Sequence, residues 1–241
     1  MADAKIRLCV EHDLAAGNSV PLDRDQANYL FNVMRLGVGA HILLFNSRDG
    51  EFLAEVADAG KRRGLLAVLH QTKPLQMPPD LWLFFAPIKK ARTDFIVEKA
   101  AEMGAARICP VQTEYTNSDR IRQDKLQAHA MEAAEQCGGT YVPEVAGIAK
   151  LRLVLETWPE DRRLMFCDEA LAGQASGLAQ ATPGKWAILI GPEGGFSDAE
   201  REALSKMPQS LPVSLGPRIL RADTAAVAAL TLWQSELGDW A

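Results

Sequence analysis

Two stretches near the carboxyl end carry residues whose types and spacing could do chemistry. The first is Trp186-Ala-Ile-Leu-Ile-Gly-Pro-Glu-Gly-Gly-Phe-Ser197. An apolar run suited to a buried strand leads into a turn containing glycines, a proline and an acid. Ser197, with Glu200 three residues on, reads as the capping box of a following helix. Gly191, Gly194 and Gly195 allow backbone to approach a ligand closely. A plain strand-to-helix turn is the alternative, and so many special residues in one bend count against it. The spacing G-x-x-x-x-G-K-[ST] of a P-loop is absent, and Gly37-Val-Gly39 begins no G-x-G-x-x-G. Glu193 in the turn would repel a triphosphate, so the expected ligand is neutral or cationic.

The second stretch is Leu215-Gly-Pro-Arg-Ile-Leu-Arg-Ala-Asp-Thr-Ala225. A strand again ends in Gly-Pro, and Arg218 and Arg221 follow. Guanidinium groups in a glycine loop at a strand's carboxyl end favour contact with an anion or a base edge, against the alternative of surface ion pairing. The next helix is rich in small residues (Ala225, Ala226, Ala228, Ala229), which permit close approach of a loop or a partner subunit. Ala226, Leu230, Trp233 and Leu237 form its apolar stripe.

The elements that must position these loops follow from the apolar pattern. Residues 5–72 read as a small β-rich unit, with strand stretches at Ile6–Val10, Ile42–Phe45, Phe52–Val56 and Leu65–Leu69. One helix interrupts them: Asp23 is its expected N-cap, Gln26 completes a capping box, and Ala27, Leu30, Phe31 and Met34 form its apolar face. A compact barrel is expected over 1–72. Residues 73–80 carry prolines that oppose both helix and ladder pairing, and they read as a linker. Over 81–241 strands and helices alternate. Expected strands are Leu81–Ala86, Arg107–Val111, Leu164–Cys167, Trp186–Ile190 and Leu211–Leu215; expected helices are Thr93–Met103, Lys125–Gln136, Leu151–Trp158, Asp198–Lys206 and Thr224–Leu237. That alternation predicts an α/β fold with a mostly parallel sheet, whose ligands bind beyond the strands' carboxyl ends.

Composition narrows the function classes. The chain has 241 residues, 48% of them hydrophobic and 24% charged, which is globular rather than disordered composition. No apolar run approaches the roughly 20 residues of a membrane span, and no secretory leader is visible, so the cytoplasm is the expected compartment. Cys9, Cys109, Cys137 and Cys167 form no C-x-x-C pair, and the four histidines are scattered, so no metal site is expected. A net charge of -5 argues against a general nucleic-acid coat. Local basic clusters at Lys61-Arg62-Arg63 and Lys89-Lys90-Ala91-Arg92 nevertheless permit a specific RNA footprint.

The two carboxyl-terminal motifs together resemble those of the ribosomal small-subunit methyltransferase E family, in the SPOUT class of S-adenosylmethionine-dependent RNA methyltransferases. Other segments are similar to the family as well: Phe31-Asn-Val-Met-Arg-Leu-Gly-Val-Gly39, Asp94-Phe-Ile-Val-Glu-Lys-Ala-Ala-Glu-Met-Gly-Ala105, and Glu132-Ala-Ala-Glu-Gln-Cys-Gly138 with Val142-Pro-Glu144. The chain departs from the pattern at Gly139, where the family carries arginine, and at Ala222-Asp223, where it carries Thr-Glu.

The resemblance implies a PUA-like β-barrel at the amino end and a SPOUT α/β domain with a deep trefoil knot, one of the rare exceptions to unknotted folds. It implies a homodimer and, as cofactor, S-adenosylmethionine bound by Phe166, Cys167, Leu189, Ile190, Gly191, Gly194, Gly195, Leu215, Gly216 and Leu220. The implied substrate is N3 of one uridine in 16S rRNA of the small ribosomal subunit. Arg218 and Arg221 are the expected stabilisers of charge on the pyrimidine; either Asp223 or a water is expected to accept the proton, or Asp223 to orient Arg221. Arg35, Lys61, Arg62, Arg63, Lys89, Lys90 and Arg92 are expected to dock the RNA. Three other readings stay open: a tRNA-directed enzyme of the same class, a non-catalytic RNA-binding assembly protein, and a small-molecule α/β enzyme.

Overall fold

The computed structural model describes residues 4–60, 62–118, 120–173 and 177–241. The chain forms two compact units, Met1–Met77 with Ala134–Val142, and Pro78–Ala133 with Pro143–Ala241.

The first unit contains β1 (Arg7–Cys9), β2 (Ser19–Leu22), α1 (Arg24–Ala27), β3 (His41–Asn46), β4 (Gly50–Ala59) and β5 (Gly64–Lys73). The strands form a half-barrel sheet in the order β1-β3-β4-β5-β2, with β1 and β2 as its two edges. Leu8, Val20, Leu30, Ile42, Leu44, Ala54, Val56 and Leu66 fill its core. Asp23 caps α1, and the reciprocal bonds with Gln26 are present. α1 passes directly into a π-helix over Asn28–Val33. The wider π turn rotates the face: Ala27 and Leu30 are buried, but Met34, expected on the apolar side, is exposed.

Segment Ala134–Val142 is fastened to this unit by the half-buried Arg7, with further bonds from the Gln76 N–H to the Thr140 hydroxyl and from the Val142 N–H to the Ser47 hydroxyl. Arg7 pairs with Glu51 at 2.7 Å, and its other nitrogens donate to the carbonyls of Ala134, Glu135 and Gly139. Glu135 in turn accepts from the Cys9 backbone N–H. The Glu-Gln-Cys-Gly motif and Gly139 therefore serve the architecture of the first unit. At Gly139 the contact comes from the backbone carbonyl, so the departure at that position leaves it intact.

The second unit contains β6 (Leu81–Phe85), α2 (Lys90–Glu102), β7 (Arg107–Gln112), α3 (Gln123–Cys137, whose last turn belongs to the first unit), β8 (Glu144–Val145), β9 (Ala149–Lys150), α4 (Leu151–Glu156), β10 (Arg163–Cys167), β11 (Trp186–Ile190), α5 (Asp198–Lys206), β12 (Ser210–Val213) and α6 (Ala222–Leu237). The strand order is β12-β10-β11-β6-β7-β8, with β9 also on β7, and the pairings are parallel. Alternating side chains build two cores. Leu83, Phe85, Met165, Cys167, Ile188 and Ile190 pack on one face with residues of α2, α3 and α6. Phe84, Leu164, Phe166, Ala187 and Leu189 pack on the other with Phe196 and residues of α4 and α5. Burial on both faces is what selects continuous apolar strands such as Trp186–Ile190.

Candidate active site

β10, β11 and β12 end side by side, and the loops that leave them enclose a cavity of about 370 Å³. This is the place where open parallel sheets bind ligands. The bend after β11 contributes Ile190 through Gly195, and the loop after β12 contributes Leu215, Gly216 and Arg218 through Ala222. Cys167, Asp168, Glu169 and Ala172 close it from the end of β10. The loops are tied together, since the Gly173 N–H donates to the Gly216 carbonyl at 2.9 Å.

Local sequence explains why the first bend holds its shape. The Ser197 hydroxyl accepts from the Glu200 N–H, and the Glu200 carboxylate accepts from the Ser197 N–H, so the α5 capping box is complete. Glu200 also accepts from the Glu114 N–H at 2.9 Å, which joins the bend to the loop after β7. Gly195 has φ +71, and a Cβ there would collide with the Glu169 carboxylate. Phe196 is buried edge-on against Phe166, with ring centroids 5.0 Å apart.

Of the residues expected to hold a cofactor, Cys167, Ile190, Gly191, Gly194, Gly195, Leu215, Gly216 and Leu220 border the cavity. Phe166 and Leu189 point to the opposite face of the sheet, where they pack with Phe196 and Leu204. They differ from their neighbours Cys167 and Ile190 only by the period-2 alternation of a strand. Asp168, Glu169, Pro192, Glu193, Ile219, Ala222 and Ala225 also line the space. The position of Asp168-Glu169 just past the end of a buried strand was the signal available for them.

The electrostatics of the cavity are divided. Its carboxylates are matched by arginines from outside: Arg201 pairs with Asp168 at 3.2 Å and with Glu169, and Arg92 donates to Glu193 at 3.1 Å. Arg218 and Arg221 also line the cavity, are exposed, and among the described residues make no ion pair or side-chain hydrogen bond. Asp223, the second residue of α6, does not border the cavity. Its carboxylate accepts from the Thr224 N–H at 2.9 Å and lies 3.6 Å from Arg92 Nε. Burial pushes the Cys167 thiol well above its ordinary pKa, so it stays neutral and acts as an apolar wall.

The basic residues expected to meet RNA are spread over both units. Arg35 (φ +57), Arg62 and Arg63 are exposed in the first unit, while Lys61 lies outside the described residues. Lys89 and Lys90 are exposed at the start of α2, Lys90 pairing with Asp94 at 3.2 Å, and Arg92 is turned inward to Glu193 and Asp223. Among the described residues, no group of three or more His, Cys, Asp or Glu side chains is placed to hold a metal ion, and no helix is long and apolar enough to cross a membrane.

Comparison with known proteins decides the family. Residues 75–234 match the model of an RNA methyltransferase domain, and residues 22–69 match an RNA methyltransferase PUA domain. A ribosomal RNA small subunit methyltransferase E from Synechocystis sp. is 32% identical over 233 residues, covering 93% of this chain and 75% of the relative. The chain belongs to the ribosomal RNA small subunit methyltransferase E family. A second member of that family, from Rickettsia conorii, is 28% identical over 228 residues and 93% of each chain. The Neisseria gonorrhoeae methyltransferase E, solved bound to S-adenosyl methionine, superposes with a TM-score of 0.86 at 26% identity, covering 98% of this chain and 99% of that one. Family membership makes the chain an RNA methyltransferase, and it joins a PUA-type half-barrel to an α/β unit in which the glycine and arginine motifs share one cavity.

Proposed function

We propose that this protein methylates N3 of one uridine in 16S rRNA of the small ribosomal subunit, using S-adenosylmethionine, as a cytoplasmic homodimer whose α/β unit is knotted. The observation that carries the reading is the pair of guanidinium groups, Arg218 and Arg221, that have no partner among the described residues, at a cavity whose carboxylates are matched by other arginines. An acidic chain that leaves two cations without a partner among the described residues at a glycine-walled cavity is set up for an electron-rich substrate there.

The residues present fit the cofactor. The cavity volume of about 370 Å³ lies in the range of small-molecule sites. Backbone at Gly191 and Gly194 can approach a ligand without side chains in the way, Gly195 and Gly216 leave room beside it, and Ile190, Leu215 and Leu220 offer apolar walls for a purine. Asp168, Glu169 and Glu193 also line the cavity, but each is already paired with Arg201 or Arg92, so the glycine backbone and the apolar walls carry the fit. When bound, S-adenosylmethionine supplies an electrophilic methyl group on a cationic sulfonium.

The protein's own work is then positioning and charge stabilisation. Uracil N3 must give up its proton, and the resulting negative charge spreads over O2 and O4. Arg218 and Arg221 stand where oriented donors can meet that charge. Asp223 is engaged by Arg92 and by the Thr224 N–H, so the proton passes to solvent water rather than to this carboxylate. Arg35, Arg62 and Arg63, exposed on the first unit, bind rRNA phosphates. Ala226 and Ala229 of α6 are buried in the chain's own core, so the homodimer is proposed from the family resemblance alone.

Labelled methyl transfer tests the reading. Purified protein is offered unmodified small subunits, free 16S rRNA and tRNA, and the modified base is then identified. Methylated N3 of a single uridine in small subunits is the expected product. Label confined to tRNA, or at another atom of the base or ribose, contradicts it.

A further inference from the structure

Arg92 does not border the cavity, yet it touches the bend after β11 and the first turn of α6, which directly follows the loop after β12. Its Nη1 donates to Glu193 Oε1 at 3.1 Å, and its Nε lies 3.6 Å from Asp223 Oδ2. Glu193 belongs to the bend after β11 and lines the cavity; Asp223 follows Arg221 and Ala222, which line it from the other side. One guanidinium therefore bridges the two motifs read from the sequence.

The rest of α2 indicates that helix stability does not explain the arginine. The first turn of a helix is a positive pole, and a cation there is unfavourable. α2 nonetheless begins with Lys89, Lys90 and Arg92 and has no side-chain cap. What holds this turn is the neighbouring Thr93, buried, whose hydroxyl bonds both the N–H and the carbonyl of Ile88 at 3.0 and 3.1 Å. The arginine is thus presented from a fixed backbone. Removing it would leave the Glu193 and Asp223 carboxylates, which share this one guanidinium, without their common cation, and the tie between the bend and α6 would be lost.

We propose that Arg92 is a positioning residue that clamps the bend after β11 to the start of α6 through Glu193 and Asp223, rather than a contact for RNA. The clamp sets the spacing between the bends and occupies Asp223, so that Arg218 and Arg221 keep their charge free for substrate. The turnover arm of the test rests on the methyltransferase reading above; the binding arm does not.

The test is a double-mutant cycle on the full-length protein. Arg92→Ala, Arg92→Lys, Glu193→Gln, Asp223→Asn and the pairwise combinations are compared by calorimetric S-adenosylmethionine binding, RNA binding at several salt concentrations, and single-turnover methyl transfer at saturating RNA. Arg92→Ala is expected to weaken cofactor affinity about tenfold, within the range of coupling between contacting charges. Combining it with Glu193→Gln adds little, because the bridge is already gone. Arg92→Lys recovers only part, since a point charge cannot serve two carboxylates as the planar fork does. RNA affinity and its salt dependence stay at the wild-type value. Additive losses, or a flatter salt dependence with unchanged cofactor affinity, overturn the clamp and return Arg92 to the RNA footprint. If Arg92→Ala does not fold, the cycle built on Arg92→Lys with Glu193→Gln and Asp223→Asn gives the same decision. Wild-type protein that binds cofactor but methylates no RNA contradicts the proposed function and leaves the binding cycle to decide the clamp. Wild-type protein that binds no cofactor overturns both.

Discussion

Gly191→Ala adds one methyl group to the bend after β11, at a place where the packing leaves no room for it. Gly191 is outside the left-handed region, so alanine meets no backbone penalty there and the whole effect is steric. The new Cβ would stand 2.7 Å from Phe196 Cε2 and 3.0 Å from its Cζ, whereas carbon atoms rest about 3.5–4.0 Å apart. The ring must therefore move by roughly 1 Å, which uses up the difference between those separations. Phe196 is 1% exposed and held edge-on by Phe166, so it has no free direction. Overpacking of this kind costs about 1–3 kcal/mol. For a chain of this size that is a fall in Tm of roughly 2–12 °C. The same displacement moves the walls formed by residues 191–195, and S-adenosylmethionine affinity is expected to fall about tenfold, equivalent to about 1.4 kcal/mol. Thermal unfolding and calorimetric titration measure the two effects. Phe196→Leu in the same chain should return part of both by giving the methyl group space. Unchanged Tm and cofactor affinity in Gly191→Ala would refute the packing argument, and so would losses that simply add in the double variant.

Three further outcomes are expected. Arg218→Ala and Arg221→Ala should each lower the methyl-transfer rate at saturating RNA about 10²–10³-fold, as for other charge-stabilising donors, while cofactor affinity holds. Arg62→Ala with Arg63→Ala should raise the KM for RNA and flatten its salt dependence by about 0.7 per lost phosphate contact, with kcat unchanged under saturating RNA. The Leu14 N–H and then the Asn46 amide hold the Asp49 carboxyl below its ordinary value of 3.8, so this stabilisation is present above that value and disappears as pH falls through the lower folded one. Asp49→Asn should therefore lower Tm at neutral pH and flatten the acid limb of the Tm curve; an unaltered acid limb rules the linkage out.

What the sequence made legible was whatever a local rule specifies. Trp186–Ile190 and Asp198–Lys206 are read to the residue, because a buried apolar run and a complete capping box mark their ends. The start of α2 is three residues earlier than its apolar pattern indicates, since Lys89 provides no cap to see. β2 was not anticipated: Ser19–Leu22 has only Val20 and Leu22 turned inward, and Pro21 is tolerable because the strand lies at a sheet edge. The rotation of the face introduced by the π-helix at Asn28–Val33 has no signature in an apolar pattern that fits an α-helix equally well.

The candidate site was visible for a similar reason, and incomplete for another. Glycines and arginines at strand ends declare themselves, and the two motifs meet in one cavity. Whether Phe166 or Cys167 faces that cavity depends on strand phase at its last residue, which composition does not fix. The pairing of Arg92 with Glu193 and Asp223 joins positions 101 residues or more apart along the chain, and only the folded sheet brings them together.

The central claim is that the loops at 190–197 and 215–222 together wrap the methyl donor, and a crystal structure of this chain grown with S-adenosylmethionine tests it most directly. The account predicts the donor in the cavity walled by Gly191, Gly194, Gly195, Leu215 and Gly216, with Arg218 and Arg221 still open to solvent. A donor seated elsewhere, or that cavity filled by a rearranged Phe196 or Leu220 in the presence of excess donor, would contradict it.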